Sequence, residues 1–345
     1  MTTAKIAING FGRIGRIVTR IAKQNKQFDI VAINDLTDPA YLAHAFRRDS
    51  VHGTYPGEVA LDGDVMTIDG DSFRVLQERD PTKLPWAELG VDYVVESTGV
   101  FRATSQLEMH RQAGCKRVVL TVPTKDELKS TVVLGVNDDV STDDAVFVSN
   151  ASCTTNCVAP LVKVLHDTFG VKRGLMTTIH AYTADQRIVD GPHKDLRRSR
   201  HAAINIVPTS TGAARAVGRV IPELNGKLDG MAMRVPVADG SIVDLVVEVE
   251  KGATVDQVNA AFRAAAEGDM AGILEYTEEP LVSTDIIGNP HSSIFDSGLT
   301  QVMDGTQIKV VSWYDNEAGY SSRVVDVLGR LAALDGLSVD YAGEG

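Results

Sequence analysis

The chain has 345 residues, longer than one hydrophobic core usually serves, so two domains are expected. Its 43% hydrophobic and 23% charged residues are ordinary for a soluble globular protein. Its 34 basic against 46 acidic residues leave a net charge of −12, a balance that repels nucleic acid and anionic membrane.

In chain order, "MTTAKIAINGFG" has no basic segment followed by an apolar stretch and a cleavage site. No export signal is read, and a cytoplasmic location is expected. "KIAING" reads as a buried strand and "RIGRIVTRIAKQ" as a helix, with Ile14, Ile17, Val18 and Ile21 at helical spacing. "IVAIND" is a second strand, "YLAHAFRRD" a helix, "VDYVVEST" a third strand, "SQLEMHRQAG" a helix ending at Gly114, and "KRVVLTVP" a fourth strand. Apolar strands alternating with helices predict parallel β-α units in a doubly wound sheet. Between them, "GTYPGEVALDGDVMTIDGDSFRVLQE" alternates with period two around Gly and Asp turns, as inserted antiparallel hairpins do.

After Cys157 the pattern changes. "APLVKVLHDTFG" is a helix stopped by Gly170, followed by the strands "RGLMTTIHAY", "GMAMRVPVADGSIVDLVVEVE" and "IKVVSWYD". Their length and alternation predict an antiparallel sheet with helices on one face. The helix "GYSSRVVDVLGRLAALDG" closes the pattern, and "DYAGEG" is expected to fray. The fold class is therefore α/β, a Rossmann-type doubly wound parallel sheet plus an α+β domain with a mostly antiparallel sheet. No apolar run approaches the roughly 20 residues that span a bilayer.

Gly10, Gly12 and Gly15 in "NGFGRIG" form a G-x-G-x-x-G turn after a strand and at the head of a helix, and Asp35 ends the second strand. That context is what a dinucleotide fingerprint requires. Gly10 permits the tight turn, Gly12 lets backbone approach a pyrophosphate, and Gly15 allows close helix–sheet packing. Asp35 would accept hydrogen bonds from ribose hydroxyls and repel a 2′-phosphate, favouring NAD over NADP. Ser97, Thr98 and Gly99, in "ESTG", follow the third strand where a further cofactor-facing loop belongs.

Two of the three cysteines lie in "SNASCTTNC". An odd cysteine count without framework spacing argues for free thiols. Asn150 and Ser152 are helix N-cap types, so Cys153 sits at or near a helix start, a place that lowers a thiol pKa. His180, at a strand end in "TTIHAYT", is its candidate proton partner, while Cys157 and Cys115 read as buried small hydrophobes. A thiolate can add to an aldehyde, whose carbon then yields a hydride to a nicotinamide and becomes a thioester. A thiol-dependent aldehyde dehydrogenase follows. A Cys–His acyl hydrolase is the alternative, and it has no need of the glycine turn.

From about residue 4 to residue 330 the chain resembles the phosphorylating glyceraldehyde-3-phosphate dehydrogenase family. The resemblance rests on "INGFGRIGR", "IND", "ESTGVF", "VSNASCTTNC", "TTIHAYTADQR", "PTSTGAARAVG", "MAMRVP" and "WYDNEAGYS" in order. It implies an NAD-binding domain at 1–152 completed by a C-terminal helix, 317–345, and a catalytic domain at 153–316. It makes Cys153 the nucleophile and His180 its acid–base partner. Arg13 and Ile14 would flank the pyrophosphate, with Asn34 and Asp35 on the adenosine side. Thr121 belongs to the cofactor site, where serine is usual. Asn316 would hydrogen-bond the nicotinamide carboxamide, with Tyr320 beside it.

The resemblance also implies two anion sites. Thr183 and Arg234 match the site for the substrate's phosphate. Ser152, Thr154, Thr211 and Gly212 match the site for inorganic phosphate, with Arg234 near both, and Arg198 joins the substrate-binding set. "AYTADQRIVDGPHKDLRRSRHAAINIVP" resembles the family's S-shaped loop, which implies a homotetramer with Arg197, Arg198 and Arg200 against a partner rather than in a solvated loop. No metal, membrane or nucleic acid is implied. Gly191 replaces a bulkier apolar residue common in NAD-using members, which weakens the exclusion of NADP. Erythrose-4-phosphate dehydrogenase, a sister family, departs from the pattern at the positions of Thr183, Thr211 and Gly212, all present here.

Overall fold

A computed structural model describes residues 2–128, 130–138 and 145–340. They form two compact units, one from Met1–Val132, Asp139–Ala151 and Ser321–Gly345, the other from Val133–Asp138 and Ser152–Tyr320. Two short stretches fall differently from the sequence-based boundaries. Residues 133–138 group with the second unit, where Gly135 lies against the Ile273 side chain. Residues 317–320 do likewise, with Gly319 close against the His291 carbonyl. Of the tail expected to fray, all but Asp340 lies outside the described residues.

The first unit opens with β1 (Lys5–Asn9), α1 (Arg13–Gln24), β2 (Asp29–Asn34) and α2 (Pro39–Arg47). A short ribbon, β3 (Arg48–Asp49) and β4 (Gly53–Thr54), precedes the meander β5 (Val59–Asp62), β6 (Val65–Ile68) and β7 (Asp71–Leu76). Then come α3 (Trp86–Leu89), β8 (Tyr93–Glu96), α4 (Thr104–Gln112), β9 (Arg117–Leu120) and β10 (Phe147–Ser149). The sheet order is β10-β9-β8-β1-β2-β7-β6-β5. The run from β10 to β7 is parallel, and β6 and β5 extend it antiparallel. Ile6, Ala7, Ile8, Tyr93, Val94, Val95, Val118, Val119 and Leu120 are all fully buried, as strands covered on both faces must be. Chain order runs outward in opposite directions from β1, so the loops after β1 and β8 part at a topological switch point.

The last helix, α8 (Ala318–Leu334), buries Val324, Val325, Leu328, Leu331 and Ala332 on one stripe. Just past its end, the Asp335 carboxylate accepts from the Tyr93 hydroxyl at 2.7 Å and from Arg117 Nε at 3.0 Å. These bonds fix the helix terminus to β8 and β9.

The second unit begins with α5 (Cys153–Phe169), β11 (Val171–Ala181), β12 (Val207–Ser210), α6 (Ala213–Val220) and β13 (Leu228–Val235). It continues through β14 (Ser241–Val249), α7 (Val255–Glu267), β15 (Leu274–Thr277), β16 (Ser293–Asp296), β17 (Gln301–Met303) and β18 (Gln307–Tyr314). The sheet order is β12-β13-β11-β14-β18-β16-β15, with β17 on β18. Most pairs are antiparallel, but β11 runs parallel to β13 and β15 parallel to β16. Along β14 every second residue, from Ser241 to Val249, is buried, the signature of a sheet covered on one face. Helix α5 packs across β14, β16 and β18. It thereby brings its first turn to the end of the sheet where β11 stops.

Candidate active site

The residues before α5 set up its start. Ala151 adopts φ +54°, a left-handed conformation that costs a residue with a Cβ roughly 1–2 kcal/mol. Ser152 then extends and caps the helix, its hydroxyl accepting from the Thr155 N–H at 3.1 Å. Cys153 is therefore the first residue of the helix. Cys153 as a residue is half-buried, while Cys157 and Cys115 are buried. His180, near the end of β11, places Nε2 3.5 Å from Cys153 Sγ.

Strand register supplies the next group. His180 lies directly opposite Arg234 of β13. Arg234 Nη1 donates to the Ala181 carbonyl at 2.9 Å, and that carbonyl is 2.7 Å from His180 Nδ1. Nη1 itself is 2.6 Å from Nδ1, so a permanent positive charge rests against the imidazole. Burial, and then this charge, lower the His180 pKa to about 3. The imidazole is thus neutral at rest. Burial pushes the Cys153 thiol up, against the pull of Arg234 and of hydrogen bonds at Thr154. The lowering expected from a helix start is outweighed by burial, and the resting pair is a neutral thiol beside a neutral imidazole.

Tyr314, at the end of β18, frames this pair. Its hydroxyl is 2.8 Å from Thr154 Oγ1 and 2.9 Å from Thr178 Oγ1, and its ring stands edge-on to His180 at 5.9 Å. Thr154, expected at an anion site, thus has its hydroxyl oriented by the scaffold. Ser152 uses its own on Thr155. Arg234 Nε is buried with no acceptor among the described residues, a donor that an anion would satisfy. Thr183 lies two residues beyond β11, its N–H donating to Gln186 Oε1 at 3.3 Å. Gly212 is the exposed N-cap of α6, with open space where a Cβ would project, and Thr211 Oγ1 accepts from the Ala213 N–H. Arg198 stands close enough to His180 and Arg234 for its charge to lower the pKa of both. It pairs with Asp185 and donates to Thr209 Oγ1 at 2.9 Å and to the Ser210 carbonyl at 3.2 Å.

Asn316 follows β18 and is buried, as is Tyr320. The Ser241 hydroxyl donates to Asn316 Oδ1 at 2.6 Å, a contact that no spacing or motif marks. Asp315 accepts from the N–H groups of Gly288, Glu317 and Ala318 and pins the backbone on both sides of Asn316. Burial and the neighbouring Asp315 and Glu317 push the Asp239 carboxyl far above the usual range.

In the first unit, a crevice of about 330 Å³ opens at the switch point, lined by Gly10, Gly12, Asp35, Ser97, Thr98 and Phe101 among others. Gly10 has φ +93°, and a Cβ there would meet the Thr98 nitrogen at 2.6 Å. A Cβ at Gly15 would lie 2.2 Å from the Gly10 carbonyl, so the helix meets the turn only as glycine. Nothing stands within 4 Å of a Cβ built on Gly12, the N-cap of α1, which leaves room for a pyrophosphate against a helix N-terminus. Asp35 is aimed by the Phe11 N–H at 2.8 Å and the Thr37 N–H at 2.9 Å. These groups fit a dinucleotide.

The remaining expected cofactor residues divide. Ser97 Oγ donates to the Gly10 carbonyl at 2.6 Å, and Gly99 turns the loop at φ +71°. Thr121 Oγ1 donates to the Glu96 carbonyl at 3.1 Å and is buried. Asn34 uses its amide on Asn9 Oδ1 and the Glu78 backbone, so it builds the crevice wall. The Arg13 guanidinium is held by both oxygens of Asp49, which leaves Arg13 and Ile14 to act through their place at the start of α1. Sequence reasoning missed Glu96. It is fully buried and accepts from Asn9 Nδ2 at 2.5 Å, from the Thr98 N–H at 2.9 Å and from His110 Nε2 at 3.1 Å. It ties the turn after β8 to that after β1.

Known proteins resemble this chain over nearly its whole length. The family model for the glyceraldehyde 3-phosphate dehydrogenase NAD binding domain matches residues 4–104, and that for the C-terminal domain of the same enzymes matches residues 152–316. The glyceraldehyde-3-phosphate dehydrogenase of Geobacillus stearothermophilus is 56% identical over 330 residues, 95% of this chain and 98% of the relative. That of Mycobacterium avium is 56% identical over 344 residues, 98% of this chain and all of the relative. That of Borreliella burgdorferi is 57% identical over 334 residues, 95% of this chain and 99% of the relative.

Proposed function

The chain belongs to the glyceraldehyde-3-phosphate dehydrogenase family, and from that premise we propose that it oxidises D-glyceraldehyde 3-phosphate, with NAD and inorganic phosphate, to 1,3-bisphosphoglycerate. Cys153 Sγ attacks the aldehyde carbon while His180 Nε2 takes the thiol proton and hands it to the oxygen of the opened carbonyl, giving a thiohemiacetal and a neutral imidazole again. NAD, seated on the glycine turn and Asp35, supplies the acceptor for the hydride of that carbon. His180 removes the hydroxyl proton as the carbon reaches the thioester level. Inorganic phosphate then attacks the thioester carbonyl, the C–S bond breaks, and the thiolate leaves as acyl phosphate forms. Arg234 offsets the charge of the phosphates, with Thr183, Thr211 and Gly212 as further donors.

The observation that carries this reading is the 3.5 Å approach of Cys153 Sγ to His180 Nε2 at a capped helix start. An acyl hydrolase would need that pair but neither the glycine crevice nor Asp35. The reading includes a homotetramer, supported by Ile188, Val189, Leu196, Ile204 and Ile206, all more than 60% exposed on one connecting segment. It also includes a cytoplasmic location, supported by free thiols and by a charged substrate and cofactor that do not cross membranes unaided. Among the described residues no helix is long and apolar enough to cross a membrane.

The test is nicotinamide absorbance with purified chain. Continuous NADH formation should require glyceraldehyde 3-phosphate, NAD and inorganic phosphate together. Omitting phosphate should leave a burst of one NADH per Cys153. Turnover indifferent to phosphate, or faster with erythrose 4-phosphate, would overturn the assignment.

A further inference from the structure

The first residue of β14 raises a question that the reaction leaves open. Ser241 is fully buried, yet it carries a hydroxyl where the strand's other inward positions are Val243, Leu245, Val247 and Val249. Its oxygen accepts from the Ala181 N–H at 3.1 Å, so its proton needs a separate acceptor. The side chain within reach is Asn316, at 2.6 Å. That length suits O–H···O better than N–H···O, which rarely closes below about 2.7 Å. The amide of Asn316 is therefore turned with Oδ1 toward Ser241 and Nδ2 away from it.

We propose that Ser241 is a positioning residue for the cofactor, fixing Asn316 as a hydrogen-bond donor toward the carbonyl oxygen of the nicotinamide carboxamide. This rests on the reading that Asn316 faces the nicotinamide. The backbone around Asn316 is held without Ser241, because the preceding Asp315 accepts from the N–H groups of Glu317 and Ala318 just beyond it and from that of Gly288. Removing the hydroxyl frees the side-chain amide of Asn316 and takes an acceptor from the Ala181 N–H, while the backbone of Asn316 stays held. Ser241 also joins two functions, since the N–H it accepts belongs to Ala181, the residue after His180, whose carbonyl contacts the imidazole. The ring contact and the base are thus fixed from one strand start.

Binding calorimetry separates this role from a merely structural one. ADP-ribose has the adenosine and pyrophosphate of NAD but no nicotinamide. Ser241→Ala should bind NAD about tenfold more weakly, the loss of roughly one hydrogen bond's net worth, with ADP-ribose affinity unchanged. Ser241→Thr, which keeps the hydroxyl, should restore NAD binding. In an Asn316→Ala background Ser241→Ala should cost nothing further. The wild-type protein gives its own test. The 3-acetylpyridine analogue of NAD keeps the carbonyl and lacks the amide nitrogen, and it should bind within about twofold of NAD. Equal loss of NAD and ADP-ribose in Ser241→Ala would overturn the proposal, as would tenfold weaker binding of the analogue by the wild type. If Asn316→Ala itself leaves NAD affinity unchanged, it is the placement of Asn316 that fails.

Discussion

At Cys153 two opposing effects meet within one side chain. A helix N-terminus and Arg234 favour sulfur as an anion, and burial disfavours it more strongly. In the proposed reaction the proton goes to a neutral acceptor close by, and His180, kept neutral by burial and by Arg234, lies 3.5 Å from the sulfur to receive it. His180→Asn should slow acylation about 10²–10⁴-fold in single-turnover kinetics, and Cys153→Ala should abolish turnover while calorimetry still detects NAD binding. A His180→Asn enzyme that acylates normally would remove the imidazole from the mechanism. The glycine turn, Asp35, Cys153 and His180 were legible in the sequence because local spacing or a helix start defines them. Ser241, Tyr314, Thr178 and Glu96 were not, since each acts across strands far apart in the chain. Asp185 and Asp195, acids of its own segment, hold Arg198 in place, a pairing that spacing alone does not announce.

At the scale of elements, the end of α8 shows how a terminal helix is tied down. Asp335 bonds Arg117 and Tyr93, and its pKa lies below the ordinary carboxylate range, chiefly through Arg117. Asp335→Ala leaves the buried Arg117 without its carboxylate and should cost about 3 kcal/mol in denaturant unfolding. The native state holds this group charged where the unfolded chain, with pKa about 3.9, begins to protonate. Its contribution is complete at neutral pH and fades as pH falls through the folded value. The stability gap to Asp335→Asn should therefore be widest near pH 7 and close in acid, and a pH-independent gap would exclude the ion pair. The parallel units of the first sheet were legible because continuous apolar strands alternate with helices. The parallel pairing of β11 with β13 was not, since alternation along a strand reports a covered face and says nothing of the neighbour's direction.

For the whole molecule, the question is what the segment after β11 meets. Its arginines are partly neutralised within the segment, Arg198 by Asp185 and Arg200 by Asp190, while its aliphatic side chains point outward, Leu196 at 80% exposure. This is the profile of a subunit contact rather than a polyanion site. Leu196→Glu with Ile204→Glu should shift elution in size-exclusion chromatography from a tetramer to smaller species that keep their circular dichroism. Unaltered elution would place the contact elsewhere.

The pairing of β11 with its neighbours carries a last consequence. Because His180 faces Arg234 across one rung and Ala181 reaches Ser241 on the other side, the chemistry is written in a reading frame of strands. A single inserted residue within β11 would shift that frame without removing any atom of the site. The ladder could close again, with isoleucine or alanine facing the sulfur and the imidazole turned to the opposite side. Such a protein would keep every residue that its family requires and be inert.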